Sequence, residues 1–256
     1  MATCIWCKGV GLPSALEHII PESLGCPEDF VLSNGEVCRR CNNGLAHLDQ
    51  SVVEDFDFLS YMADVPRKKG RPPTIRSRGN VVGTTGPGGR EVSINMERYS
   101  VNAHDGSTLG PFGRSPRNID ATFEHDGQMA KTSFSVPFGQ NPKFVRGIVK
   151  IAFSSLVYFL GTDTALAESF NPIRLYVREN KGERRILLTS GTDEGYRNQV
   201  WSPWKSESGH YAVTFRLAFV EFCVDLSPRM DLFPELEQKM IEMYGKSGWT
   251  SLPIAL

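Results

Sequence analysis

Three observations predict an α+β fold for this 256-residue chain. Cys4-Ile5-Trp6-Cys7 and Cys38-Arg39-Arg40-Cys41 put two CxxC pairs near the N-terminus, and four thiolates so arranged can close one tetrahedral zinc site. After the second pair the hydrophobic period becomes helical, with Leu45, Leu48, Val52, Phe56, Leu59 and Met62 three and four residues apart. From about residue 91 onward, alternating strand-like runs are interleaved with broad helical patterns. Together they predict a zinc-stapled strand-strand-helix (ββα) module followed by a mixed antiparallel-sheet and helix domain.

The first element is a zinc knuckle over residues 1 to 12, where Gly9 and Gly11 permit the tight turn that faces Cys4 and Cys7 toward one ion. Leu16 to Ile20 reads as a short strand that ends at Pro21, because proline biases the preceding residue toward extended geometry. Glu17 and His18 then point to opposite faces. Phe30 to Leu32 is a second short strand, closed by the turn signal Ser33-Asn34-Gly35. The helix is expected to begin at Asn42, which would stand at its N-terminus as a cap in reach of phosphate. Asp49 returns to nearly the same face about 10 Å further along the axis.

Residues 65 to 90 are rich in proline and glycine and read as a linker or long basic loop. Gly83 to Gly89 lacks the terminal GK[ST] of a P-loop and is assigned no phosphate-binding role. Short strands follow from Glu91 to Phe138. The apolar face of Val145, Ile148, Val149, Ala152, Leu156, Phe159 and Leu160 predicts a long, largely buried helix. A short helix over Thr164 to Ser169, strands at Ile173 to Val177, Arg185 to Leu188 and Tyr211 to Val224, and a helix from Phe233 to Met243 complete the expected pattern. The expected domains are therefore 1–64, a basic arm at 65–90, and an α+β accessory domain at 91–256 serving targeting or assembly.

Charge is balanced overall, with 28 basic and 29 acidic residues, yet unevenly distributed. Residues 1 to 64 carry ten acids and three bases, whereas residues 65 to 90 carry seven bases and no acid. Such asymmetry points to a polyanion touching the basic segment through Lys68, Lys69, Arg71, Arg76 and Arg78. Cys26 and Cys223 have no evident mate, and paired CxxC spacing favours metal binding in a reducing, cytoplasmic setting over a disulfide framework. The longest apolar stretch, Ile148 to Leu160, contains Lys150 and is too short to span a bilayer.

At Glu17-His18-Ile19-Ile20-Pro21 and Cys38-Arg39-Arg40-Cys41-Asn42-Asn43 the chain resembles the HNH endonuclease superfamily in its zinc-stapled form. The resemblance covers about the first 60 residues. It implies a structural zinc on Cys4, Cys7, Cys38 and Cys41, and a catalytic Mg²⁺ or Mn²⁺ held by Glu17 and Asn42, with Asp49 and His47 as further candidate ligands. His18 is implied as general base, and Asn34 as the asparagine bracing the loop between the strands. The chemistry is consistent, since a hard divalent ion prefers oxygen ligands and a neutral imidazole can take a proton from water. The implied reaction is hydrolysis of DNA phosphodiester bonds to 5′-phosphate and 3′-hydroxyl ends. Arg39 and Arg40 could touch phosphate, and a homo-oligomer or protein partner could form through the C-terminal domain. The rival expectation is a non-catalytic zinc module that binds nucleic acid or protein.

Overall fold

The computed structural model describes residues 2–66, 70–71, 74–75, 81–86, 89–94, 101–102, 108–109, 120–125, 130–135, 138–190 and 198–253. The chain is mixed α and β and divides into two compact units: Met1–Val53 with Asn141–Leu256, and Glu54–Gln140. The cysteine-bearing segment and the region after residue 141 thus belong to one unit.

In that unit β1 (Glu17–His18) pairs antiparallel with β2 (Val31–Leu32), Glu17 opposite Leu32 and His18 opposite Val31. The helix α1 follows, Arg39–Met62, of which the residues up to Val53 belong to this unit. It begins three residues before the expected Asn42, because the Cys38 carbonyl accepts the Asn42 N–H at 3.0 Å. Asn42 therefore lies inside the first turn and is not the cap. That position falls to Cys38, whose sulfur accepts the Cys41 N–H at 3.5 Å in place of a serine or aspartate oxygen. Along the same helix Leu45, Leu48 and Val52 are buried, as their spacing requires.

The second helix, α2 (Pro142–Ala165), is capped by Asn141, whose side chain accepts the Lys143 N–H, and kinks at Gly161 where φ is 80°. By length and composition it could cross a membrane, but 78% of its apolar window is buried inside the protein, as in a core helix. A 3₁₀ turn at Glu168–Phe170 leads into α3 (Asn171–Glu179). This corrects two expectations, a helix over Thr164 to Ser169 and a strand over Ile173 to Val177. The residues buried there are Ile173, Arg174, Tyr176 and Val177, with Leu175 exposed, so the governing period is helical and the alternation of Ile173, Leu175 and Val177 is coincidental.

The main sheet runs β10 (Gln199–Val200), β12 (Tyr211–Leu217), β13 (Val220–Asp225), β9 (Ile186–Ser190), β14 (Thr250–Leu252), with β11 (Trp204–Lys205) also on β12. All pairings are antiparallel. Strands alternate their faces: Phe222, 6.1 Å from Phe144 and stacked at 5.3 Å on Phe215, turns toward α2. Leu187 and Ala212 turn instead toward Leu236 and Met240 of α4 (Phe233–Tyr244).

In the other unit, Phe56 meets Phe138 edge-on at 5.2 Å, and Asp55 accepts the Gly139 N–H at 2.8 Å. Three antiparallel pairs follow in order: β3 (Val81–Gly86) with β4 (Gly89–Ile94), β5 (Val101–Asn102) with β6 (Thr108–Leu109), and β7 (Asp120–His125) with β8 (Ala130–Ser135). The expected loop over 65 to 90 thus contains a strand, because the β-branched Val81, Val82, Thr84 and Thr85 outweigh the neighbouring glycines.

Candidate functional site

The sulfurs of Cys4, Cys7, Cys38 and Cys41 lie within 4.8 Å of one another. Cys7 and Cys38 Sγ are 3.8 Å apart, hydrogen-bonded and without a disulfide, at about the edge of a tetrahedron built from ~2.3 Å zinc–sulfur bonds. The knuckle closes through Cys4 N–H to the Gly9 carbonyl at 2.9 Å and Lys8 N–H to the Cys4 carbonyl at 2.8 Å, with Lys8 at φ 58°. A Cβ on Gly9 would fall 2.5 Å from Leu12 Cδ1, so the turn is packed against its own exit. Cys4 Sγ accepts the Cys38 N–H at 3.4 Å, which locks the two CxxC segments together. A bond from Cys41, with backbone N–H groups, holds the Cys4 pKa down to about 4 despite burial, while Cys41 is correspondingly raised. The group can hold one metal ion such as zinc, which would displace these shared protons.

The knuckle is braced from α2 and α3. Trp6 is fully buried, its ring 5.1 Å from Phe153. The Arg174 guanidinium donates to the Ile5 carbonyl at 2.6 Å, to Ala167 at 3.3 Å, to the Asn171 side chain at 2.9 Å and to the Ala165 carbonyl. Arg178 reaches the Trp6 carbonyl at 3.3 Å. Carbonyls that a two-residue turn cannot pair internally thereby find donors.

Beside the knuckle, Glu17 and His18 take opposite faces of β1. Glu17 is buried at 3% exposure and its carboxylate contacts Lys150 Nζ, itself only 1% exposed. The same ammonium donates to both oxygens of Asp49, at 2.8 and 3.0 Å, and Asp49 keeps 28% exposure. Burial pushes the Glu17 carboxyl up from its usual range, and Lys150 pulls it back. For Lys150, burial favours the neutral amine, but Asp49 and Glu17 outweigh it and the group stays protonated. This cluster depends on close helix approach: a Cβ on Gly147 would sit 2.5 Å from Val52 Cγ2 and 2.9 Å from the Leu48 carbonyl. Lys150, one turn beyond Gly147, faces Asp49, one residue beyond Leu48.

Asn42 Nδ2 donates to the Leu16 carbonyl at 2.8 Å and fixes the first turn of α1 to the residue ahead of Glu17. His18 is half-buried. Asn34 is exposed and pairs with Glu36, its N–H at 2.6 Å and its Nδ2 at 3.4 Å, which braces the turn after β2. His47 is exposed and bonds the Gly44 carbonyl of its own helix at 2.9 Å. Arg39, Arg40 and Arg71 are exposed, while Lys68, Lys69, Arg76 and Arg78 lie outside the described residues.

No family model, curated protein or solved structure matches this chain.

Lys150, Arg174 and Gly147 do not belong to the site expected from the sequence. Lys150 carried a usable signal: a lone charge at the centre of an apolar helix face must find a buried partner, and the acids nearby in the fold were Glu17 and Asp49.

Proposed function

We propose that this protein is a metal-dependent HNH endonuclease that hydrolyses DNA phosphodiester bonds. The observation that supports this reading is the setting of Glu17-His18 on the first strand of a β1-β2-α1 unit, with four clustered cysteines that lie before β1 and at the start of α1. A structural metal has no use for either residue. Glu17 and Asn42 would hold Mg²⁺ or Mn²⁺, with Asp49 as a further oxygen donor. Their hard oxygens suit such an ion, and two carboxylates against one Lys150 ammonium leave one net negative charge. When bound, the ion supplies neutralisation of charge on the phosphate and on the departing 3′ oxygen.

His18 accepts the proton of the attacking water from the opposite face of β1. Asn42, tied to the Leu16 carbonyl, keeps helix and strand in register during this step. Arg39 and Arg40 at the exposed start of α1, with the basic run 65–90, supply phosphate contacts to a module that is otherwise acidic. The region after residue 91 would serve targeting or assembly.

Supercoiled plasmid offers the test. Cleavage should require added Mg²⁺ or Mn²⁺ and leave 5′-phosphate ends that a ligase can reseal. Products with 3′-phosphate, or cleavage unaffected by divalent ions, would exclude this chemistry. A second reading, a non-catalytic zinc module binding nucleic acid or protein, is favoured by the burial of Glu17 against Lys150. It predicts DNA retention in a mobility shift without strand scission.

A further inference from the structure

We infer that Lys150 is the resident counter-ion of the Glu17–Asp49 pair, a positioning residue that weakens the hold of this oxygen cluster on a divalent ion. The inference rests on the endonuclease reading for the use of such an ion, but on the geometry alone for the competition. Glu17 comes from strand β1, Asp49 from about the third turn of α1, and Lys150 from α2. Three separate elements therefore converge on one ammonium nitrogen. That nitrogen contacts Glu17 and lies 2.8 and 3.0 Å from the two oxygens of Asp49.

Two carboxylates drawn to one point would otherwise form a dianionic oxygen site for a hard cation. With the ammonium in place, the pair presents one net charge instead of two, and an incoming ion meets a fixed positive charge a few ångströms away. Lys150 cannot swing out to solvent, since it is 1% exposed and sits one turn beyond the Gly147 crossing with α1. The site thus holds a divalent ion weakly by itself and strongly only when a further anion joins it. A phosphodiester supplies such an anion. Firm metal capture is thereby coupled to substrate.

The test is titration of Mn²⁺ alone into the zinc-loaded full chain, by calorimetry and by thermal shift, for the wild type, Lys150→Arg, Lys150→Met and the double variant Lys150→Met with Glu17→Gln. Lys150→Met should bind Mn²⁺ at least about tenfold more tightly than wild type, Lys150→Arg should match wild type, and the double variant should lose the gain. If Lys150→Met unfolds without Mn²⁺, millimolar Mn²⁺ should restore its cooperative melting. Equal or weaker Mn²⁺ affinity in a folded Lys150→Met, or no restoration by Mn²⁺ in an unfolded one, would overturn the inference and leave Lys150 a purely structural ion-pair partner. These readouts need no cleavage, so they stand or fall separately from the nuclease reading.

Discussion

The four sulfurs at the knuckle and the two carboxylates beneath β1 are both anionic clusters drawn together from distant parts of the chain, but they are neutralised differently. The arginines that brace the knuckle, Arg174 and Arg178, spend hydrogen bonds on the main-chain carbonyls of Ile5 and Trp6. Arg174 still acts on the Cys4 sulfur through space, and the rest of the neutralisation falls to protons or a metal. The carboxylates instead receive an ammonium from α2. A soft, closed sulfur site suits a structural ion, whereas the carboxylates are already half neutralised by the Lys150 ammonium.

The sharpest way to separate the two is to remove one sulfur. If the four cysteines hold zinc, Cys41→Ser or a strong chelator should release it and destabilise the unit that contains them, since structural zinc contributes roughly 10–16 kcal/mol of apparent binding free energy to small sites of this kind. Metal analysis with circular dichroism reads both effects. His18→Ala should retain the metal and the fold; metal loss in that variant would mean the two clusters are not independent.

Disturbing the braces should have smaller effects. Arg174→Ala leaves buried carbonyls at Ile5 and Ala165 unpaired and should lower stability by roughly 2–3 kcal/mol in urea unfolding. Gly147→Ala places a methyl group against Val52 and the Leu48 carbonyl and should cost about 1–3 kcal/mol through overpacking. It would also spread Lys150 from Asp49 while leaving metal content at the sulfurs unchanged. A Gly147→Ala protein as stable as wild type would show that the helices do not cross so tightly.

The smallest effect concerns the two remaining thiols. Burial raises Cys26 and Cys223 to about 11, so at pH 8 both are mostly thiol and poor nucleophiles. Alkylation of the native, metal-loaded protein at pH 8 should be slow at both, and chelation should add the four knuckle cysteines to the reactive count. Both thiols are half-buried, and rapid labelling of either in the loaded protein would contradict their raised pKa.

Much of this was legible in the sequence where a local rule decides the structure. CxxC spacing brought the four sulfurs together, and helical period placed Leu45, Leu48 and Val52 in the core. Phe233 to Met243 was expected as a helix, and α4 spans Phe233–Tyr244. What escaped notice is non-local. The strand β14 exists because β9 offers an edge to Thr250–Leu252, a pairing that nothing near residue 250 announces. The apolar residues of α3 fit both a period of two and one of 3.6 over five positions, and only packing decided between them. The helix start moved to Arg39 because a cysteine sulfur can cap a helix, a role usually sought in serine or aspartate. Lys150 was visible as an interruption of an apolar run, but its partners lie 133 and 101 residues away.

The proposed nuclease depends on His18 as the base of a metal-dependent DNA cleavage. The most direct measurement is the rate of supercoiled plasmid nicking in Mg²⁺ or Mn²⁺ by wild type and by His18→Ala, both carrying their full complement of structural metal. The expected result is cleavage by wild type and a loss of about 10²–10⁴-fold in the variant, with melting temperature unchanged. Equal rates, or two equally inert proteins, would contradict it.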